Sequence, residues 1–169
     1  MKHQRIYIPA LLLLLLLFGT GPLEAITVSS NLCQEKALEP GKSYSDVIKI
    51  MNREKKPVDV KFYQTDYRYF SDGTNQFGDP GNDPRSNAHW IAGLPEQITL
   101  APGETSLVPY TVNVPDDATL SGSYWSLIMV EQIDQSEFEM TASGERQTGI
   151  RQVTRYGIQV VTHIGNTGT

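Results

Sequence analysis

The chain has little of the chemistry that marks enzymes and metal proteins. Its 169 residues include one cysteine and three histidines, so no disulfide can form within the chain. The His-x-x-x-His and Cys-x-x-Cys spacings typical of zinc sites are missing, and no glycine-flanked serine indicates a nucleophile elbow. We therefore expect a protein without enzymatic activity, resident metal or cofactor.

Basic residues are also in the minority. Lys and Arg total 14 against 19 Asp and Glu, which gives a formal net charge of −5. Binding to a phosphate backbone depends on concentrated positive charge, and so does binding to an anionic membrane surface. Nucleic acid and lipid surfaces are therefore not the expected partners.

Long hydrophobic runs are confined to the start of the chain. Lys2 and Arg5 precede the apolar stretch Ile6–Phe18, a pattern typical of a secretory signal peptide. A membrane-spanning helix needs about 20 apolar residues, and this stretch is shorter. The sequence predicts a cleaved signal over residues 1–25 and a single domain over 26–169. We expect that domain in the periplasm or at the cell surface, without a stable membrane anchor.

The rest of the chain is dominated by a hydrophobic period of two, the period of half-buried strands. Helix-period segments are missing, and Gly/Pro turns separate the apolar runs. This pattern predicts an all-β fold, a seven-stranded antiparallel immunoglobulin-like β-sandwich. The predicted strands are Ile26–Val28, Tyr44–Met51, Val58–Phe70, Ile98–Leu100, Val108–Val114, Tyr124–Val130 and Tyr156–Val160.

The same alternation predicts which side chains face the core. Tyr124–Val130 is apolar on both faces, which is typical of a central strand. Pro109 cannot donate a ladder hydrogen bond, so its strand is predicted to lie at an edge or to turn that position outwards. The predicted core includes Ile48, Ile50, Val58, Val60, Phe62, Val112, Ile128 and Ile158.

One acidic loop has the residue types of a calcium site. Asp72, Asn75, Asp79 and Asp83 carry hard oxygen ligands, but their spacing matches no standard calcium loop. Because the same residues compose ordinary turn-rich loops, we favour the structural interpretation. We likewise interpret Cys33 as a small, partly buried residue rather than a reactive thiol.

Four residues are candidates for binding a partner. Arg85 and Trp90 stand at a loop-to-strand transition, a composition common in protein recognition. The alternative is that Trp90 closes one end of the core. Arg151 and Arg155 share a face of the last strand, which is predicted to be an open edge near Gln159 where an acidic extended partner would pair. The alternative is that these arginines only keep that edge soluble.

Three tyrosines recur with strand period in the third predicted strand. Tyr63, Tyr67 and Tyr69 would form an exposed aromatic row able to stack on sugars or proteins. They are equally ordinary strand-forming residues, and we favour that interpretation.

Two long stretches together resemble a known family. LEPGKSYSDVIKIMNREKKPVDVKFYQTDY is followed by LPEQITLAPGETSLVPYTVNVPDDATLSGSYWSLIMVE. They resemble the N-terminal immunoglobulin-like domain of bacterial WxL-interacting cell-surface proteins and, more distantly, the periplasmic pilus-chaperone superfamily. The resemblance covers residues 26–165 and carries over no functional residue from either group.

The resemblance implies a non-catalytic binding or assembly module of the bacterial cell envelope. Its partner would be an envelope or surface protein or, as a second class, a wall polymer. The alternative is a single-domain periplasmic chaperone-like protein for surface or pilus subunits.

Export should leave a new amino terminus close to Ile26, because a small residue, Ala25, stands where a signal peptidase would cut. Mass spectrometry of the protein isolated from its natural host measures that terminus. Intact Met1 on protein from the membrane fraction would contradict the prediction.

Overall fold

The computed structural model describes residues 25–133 and 153–165; the signal segment up to Glu24 and the candidate Arg151 lie outside these ranges. No helix in the described ranges is long and apolar enough to cross a membrane. The elements within residues 25–133 and 153–165 are ten strands and one short 3₁₀ turn, Ala88–Trp90. The strands are β1 (Ile26–Val28), β2 (Cys33–Leu38), β3 (Ser43–Asn52), β4 (Val58–Tyr69), β5 (Asn75–Gly78), β6 (Ile91–Ala92), β7 (Gln97–Leu100), β8 (Thr105–Asn113), β9 (Gly122–Ile133) and β10 (Arg155–Ile164).

The strands form two sheets. The first has the order β1-β3-β8-β6, and the second has the order β2-β10-β9-β4 with β5 and β7 pairing opposite ends of β4. Side chains from both sheets meet in one apolar core, which is the packing of a sandwich. The predicted immunoglobulin-like β-sandwich is confirmed, and all seven predicted strands are among the ten.

The predicted core is also confirmed. All eight side chains named from the sequence are buried in the main cluster, because the strand period of two places alternate residues on the inner face. Pro109 is exposed in β8, where the ladder with β6 reaches only Val112 and Thr111. The prediction for Pro109 therefore holds, since no described strand pairs with this part of β8 on that side.

Two Pro-Gly turns lead the chain from the second sheet to the first, from β2 to β3 and from β7 to β8. Gly41 and Gly103 adopt positive φ angles of 75° and 73°, a region that favours glycine. Each turn is closed by a backbone hydrogen bond, from Lys42 N to Glu39 O at 3.2 Å and from Glu104 N to Ala101 O at 3.0 Å.

One strand pair differs from the antiparallel prediction. β2, absent from the predicted strands, runs parallel to β10 and pairs with it from Gln159 to Ile164. The prediction that the last strand is open at Gln159 is wrong, because Gln159 N donates to Leu32 O at 2.8 Å. β2 was not predicted because its sequence is polar. A strand at a sheet edge buries few side chains, so it needs no apolar alternation.

The loop between β5 and β6 is held by two buried polar side chains. Asp66 accepts hydrogen bonds from Gly81 N at 3.0 Å, from Asp83 N at 2.7 Å and from the Ser86 hydroxyl. Asn87 donates to Val160 O at 3.0 Å and to the Thr162 hydroxyl at 3.2 Å, and it accepts from the Ser126 hydroxyl at 2.6 Å. Buried polar groups need such partners, so both anchor the loop.

Three of the four side chains considered as calcium ligands take part in local interactions. Asp72 accepts from Thr74 N at 2.9 Å, Asn75 accepts from the Tyr67 hydroxyl at 3.1 Å, and Asp83 pairs with Arg68. Within the described ranges, no three acidic, histidine or cysteine residues are grouped as a metal site would require.

Truncation of Ile128 to alanine should lower the free energy of unfolding by about 2–5 kcal/mol, because this fully buried side chain leaves a cavity. Urea unfolding followed by tryptophan fluorescence measures the change. Leu107→Ala in β8, where the side chain is 61% exposed, is the matched control and should cost less than about 0.5 kcal/mol. Equal losses in both variants would contradict the assigned core.

Candidate functional site

Arg85 and Trp90 both lie close to the Tyr124 ring, at one end of the sandwich. The Trp90 and Tyr124 ring centroids are 4.7 Å apart, and Trp90 packs against both apolar clusters. Arg85 Nη1 donates to Ser121 O at 2.6 Å, and its guanidinium lies 5.2 Å from the Tyr124 centroid. The side chain of Trp90 therefore packs at the end of the core. This is the alternative that the sequence offered to binding of a partner by Trp90.

Arg155 lies elsewhere, on the outer face of the second sheet. Three central strands, β4, β9 and β10, bring their outward side chains into register there. The first row across these strands is Lys61, Glu131 and Arg155. The next two rows are Tyr63, Met129 and Gly157, followed by Thr65, Leu127 and Gln159.

These rows form an open groove of about 680 Å³. Its floor is Leu127 and Met129, two apolar side chains on the outer face of β9. Gly157 places no side chain over this floor. A Cβ there would lie in ordinary van der Waals contact, 3.4 Å from Leu127 and 3.5 Å from Met129, so a methyl group fits, whereas a larger side chain would cover the floor. The lining comprises Leu32, Tyr63, Thr65, Tyr67, Phe77, Leu127, Met129, Arg155, Gly157 and Gln159.

The tyrosines of β4 form an exposed aromatic row, whereas we had favoured ordinary strand-forming residues from the sequence. Tyr63 and Tyr69 are 36% and 65% exposed, and Phe77 of β5 joins them at 58%. The Tyr67 ring centroid lies 5.5 Å from that of Phe77 and 6.1 Å from that of Tyr69. The aromatic row therefore extends one wall of the groove.

A charged row closes the groove at the end where β10 begins. The Glu131 carboxylate accepts from Arg155 Nε at 2.7 Å, from Lys61 Nζ at 3.2 Å and from the Tyr63 hydroxyl at 3.0 Å. Burial by itself would raise the pKa of Glu131, but the hydrogen bonds from Tyr63 and Lys61 and the two positive charges outweigh it and lower that pKa. The carboxylate is therefore ionised at neutral pH and faces two cations.

The backbone beside the groove has an open edge. β9 pairs with all of β10, but β2 pairs with β10 only from Gln159 onward. Because Gln159 N points towards β2 and strand N–H groups alternate in direction, Gly157 and Arg155 point theirs to the same side. In the described part of the chain no strand pairs with them there, so they offer free backbone donors and acceptors to an added strand.

Cys33 stands at the margin of this site and is exposed, so the expectation of a partly buried residue is wrong. The polar strand β2 lies at the sheet edge, which leaves its side chains in solvent. Burial and the hydrogen bond to Glu35 raise the pKa of the Cys33 thiol. A raised pKa lowers the thiolate fraction, so this environment does not activate a nucleophile.

Sequence reasoning named Arg155, Tyr63 and Tyr67 but missed most of the groove. Two signals pointed to it. The first was the apolar outer face of β9, which we assigned to a central strand covered on both sides. The second was Gly157 within an otherwise bulky strand. The remaining contributions, from Leu32 and Phe77, depend on chain segments that only the fold brings together.

Comparison with known proteins supports the fold. No protein-family model matches the chain, and no curated protein sequence matches it. Among solved structures it is similar to the PapD-like domain 7 of human CEP192 (15% identity, TM-score 0.54, covering 86% of this chain and 89% of that one). It is also similar to the class 5 fimbriae chaperone CfaA (11% identity, TM-score 0.53, covering 84% of this chain and 57% of that one). A third similar structure is the E. coli chaperone DraB (11% identity, TM-score 0.52, covering 83% of this chain and 56% of that one).

The chain spans little more than half the length of these two chaperones. These structural neighbours support the resemblance to pilus-chaperone folds. They do not support the resemblance to WxL-interacting proteins. At these identities the similarity establishes the fold alone, and a human protein with the same fold illustrates that fold does not determine function.

Glu131→Gln should lower the free energy of unfolding by about 1–3 kcal/mol at neutral pH, because it removes the charge that Lys61 and Arg155 surround. Folding lowers the pKa of Glu131 from its ordinary 4.5, so its contribution is complete above that value and is lost as pH falls through the folded pKa. The difference in free energy of unfolding between wild type and Glu131→Gln should therefore become smaller below pH 4.5. Urea unfolding across this range measures it.

The matched control is Glu39→Gln, at an exposed turn position. Its stability should follow that of wild type within about 0.5 kcal/mol at every pH. If the difference in free energy of unfolding between wild type and Glu131→Gln stays constant or grows as the pH falls, the Glu131 charge does not stabilise the fold through Lys61 and Arg155.

Proposed function

We propose that this chain is an exported, non-catalytic, chaperone-like protein that holds an extended segment of a surface or pilus subunit at the open edge of β10. The observation that carries this proposal is that the backbone groups of Arg155 and Gly157, which no described strand pairs on that side, lie beside the apolar groove. The fold similarity to fimbrial chaperones supports the same interpretation.

The geometry suits an added strand. A partner aligned with β10 would hydrogen-bond to Gly157 and Arg155, continuing along the edge that β2 occupies further on. Its alternate side chains would then lie over Leu127 and Met129, where Gly157 leaves room. Backbone pairing accepts many sequences and the groove favours apolar side chains, a combination suited to incompletely folded subunits.

A proline at Gly157 tests the edge directly. Gly157→Pro removes a backbone donor that points away from β9, so the β9–β10 ladder is kept, while Gly157→Ala retains the donor and adds only a methyl group. Surface or pilus subunits encoded beside this chain are diluted from denaturant with each variant, and the soluble subunit is measured. Wild type and Gly157→Ala should keep the subunits soluble, and Gly157→Pro should not.

Far-ultraviolet dichroism checks that both variants retain the β-fold. Equal protection by a folded Gly157→Pro variant would contradict recognition through the β10 edge. Protection by none of the proteins, wild type included, would contradict the chaperone-like function itself.

The exposed aromatic row supports a second candidate, binding of a wall polymer. Tyr69 and Phe77 present ring faces on which sugars stack. Sedimentation with purified wall polymer distinguishes the two functions. Loss of co-sedimentation in Tyr69→Ala, with Gly157→Pro unaffected, would favour the polymer over the subunit.

A further inference from the structure

We infer that the groove selects extended segments that carry an acidic side chain two residues away from an apolar one. This inference rests on the proposed function, because it names the chemistry of the segment bound at the same site. The observation behind it is the row of Lys61, Glu131 and Arg155 at the start of β10.

The row has one more positive than negative charge. Glu131 is the nearly buried centre, with 10% of its side chain exposed, whereas Lys61 and Arg155 are 43% and 55% exposed. One carboxylate cannot neutralise two cations, and the Glu131 oxygens already face both. Within this row of three described residues, the positive charge therefore exceeds the negative by one, and the two partly exposed cations present it to solvent at the groove end.

Arg155 directs this charge into the groove. It is the only charged residue among the described residues of the lining. Its Nε contacts one Glu131 oxygen at 2.7 Å, and its Nη2 lies 3.4 Å from the other. This two-point contact holds the planar guanidinium in place and leaves other N–H groups to donate to a ligand carboxylate.

Strand geometry sets the spacing. Arg155 and Gly157 are adjacent outward positions of β10, with Tyr156 between them facing inward to donate to Ile26 O. Side chains of an added strand also alternate, so the residues opposite Arg155 and Gly157 are two apart. The residue opposite Gly157 meets Met129 and Leu127 and is apolar, and the residue opposite Arg155 is Asp or Glu.

A random peptide library displayed on phage, selected against the purified protein, tests this inference. Enriched peptides should share an acidic residue two positions from an apolar one. A synthetic enriched peptide should lose affinity about two- to fivefold when its acidic residue is changed to the neutral amide. High salt should remove that difference, because the two charges are partly exposed.

Three protein variants separate charge recognition from a structural effect. Arg155→Gln should lower the affinity for the acidic peptide by the same factor and leave the affinity for the amide peptide unchanged. Glu131→Gln should raise the affinity for the acidic peptide, because it increases the net positive charge of the row. Arg53→Gln, at an exposed position in the turn between β3 and β4, is the control and should change neither affinity.

Equal affinity of the acidic and amide peptides for wild type would overturn this inference and leave the proposed function standing. Equal weakening of both peptides by Arg155→Gln would overturn it as well, because the residue would then act only through the fold. Failure of the selection to enrich any peptide would contradict the proposed function, and this inference with it.

Discussion

The end of the β2–β10 ladder at Gln159 is the constraint on which the candidate site depends. The chain leaves the first sheet after β1 and joins the second sheet as β2, reaching β10 only at Leu32 and Cys33. Had the ladder begun earlier, the N–H groups of Gly157 and Arg155 would be paired within the protein. Because the ladder begins at Gln159, no strand among residues 25–133 and 153–165 pairs with the first half of β10 on this side, and that half lies beside an apolar groove.

The cross-strand register gives this open segment its chemistry. Three outward residues of β9, Leu127, Met129 and Glu131, each lie between one residue of β4 and one of β10, so that one row is charged and the next is apolar. Gly157 is the point at which the apolar row lacks a side chain. Glu131 holds Lys61 and Arg155 on either side of it, so the end of the groove is both ordered and charged. Edge, groove and charge are therefore consequences of one alignment of three strands.

The fold by itself leaves the activity open. Solved structures with this fold include fimbrial chaperones and a domain of a human protein. The site favours the proposed binding function, because it combines backbone groups that no described strand pairs, an apolar floor and a charged end. The exposed Cys33, whose thiol pKa is raised, and the locally bonded side chains of Asp72, Asn75 and Asp83 are not part of the groove lining.

The sequence by itself determined the fold class, the seven long or apolar strands, the Pro-Gly turns and the buried residues such as Ile48 and Ile128. Each of these depends on local periodicity or turn chemistry, which neighbouring residues encode. Only the tertiary structure decided that β2 runs parallel to β10, that Trp90 closes the core and that Leu32 and Phe77 line one groove with Arg155. These features depend on register between distant segments, and register is set by the packing of the whole sandwich rather than by any one stretch of sequence.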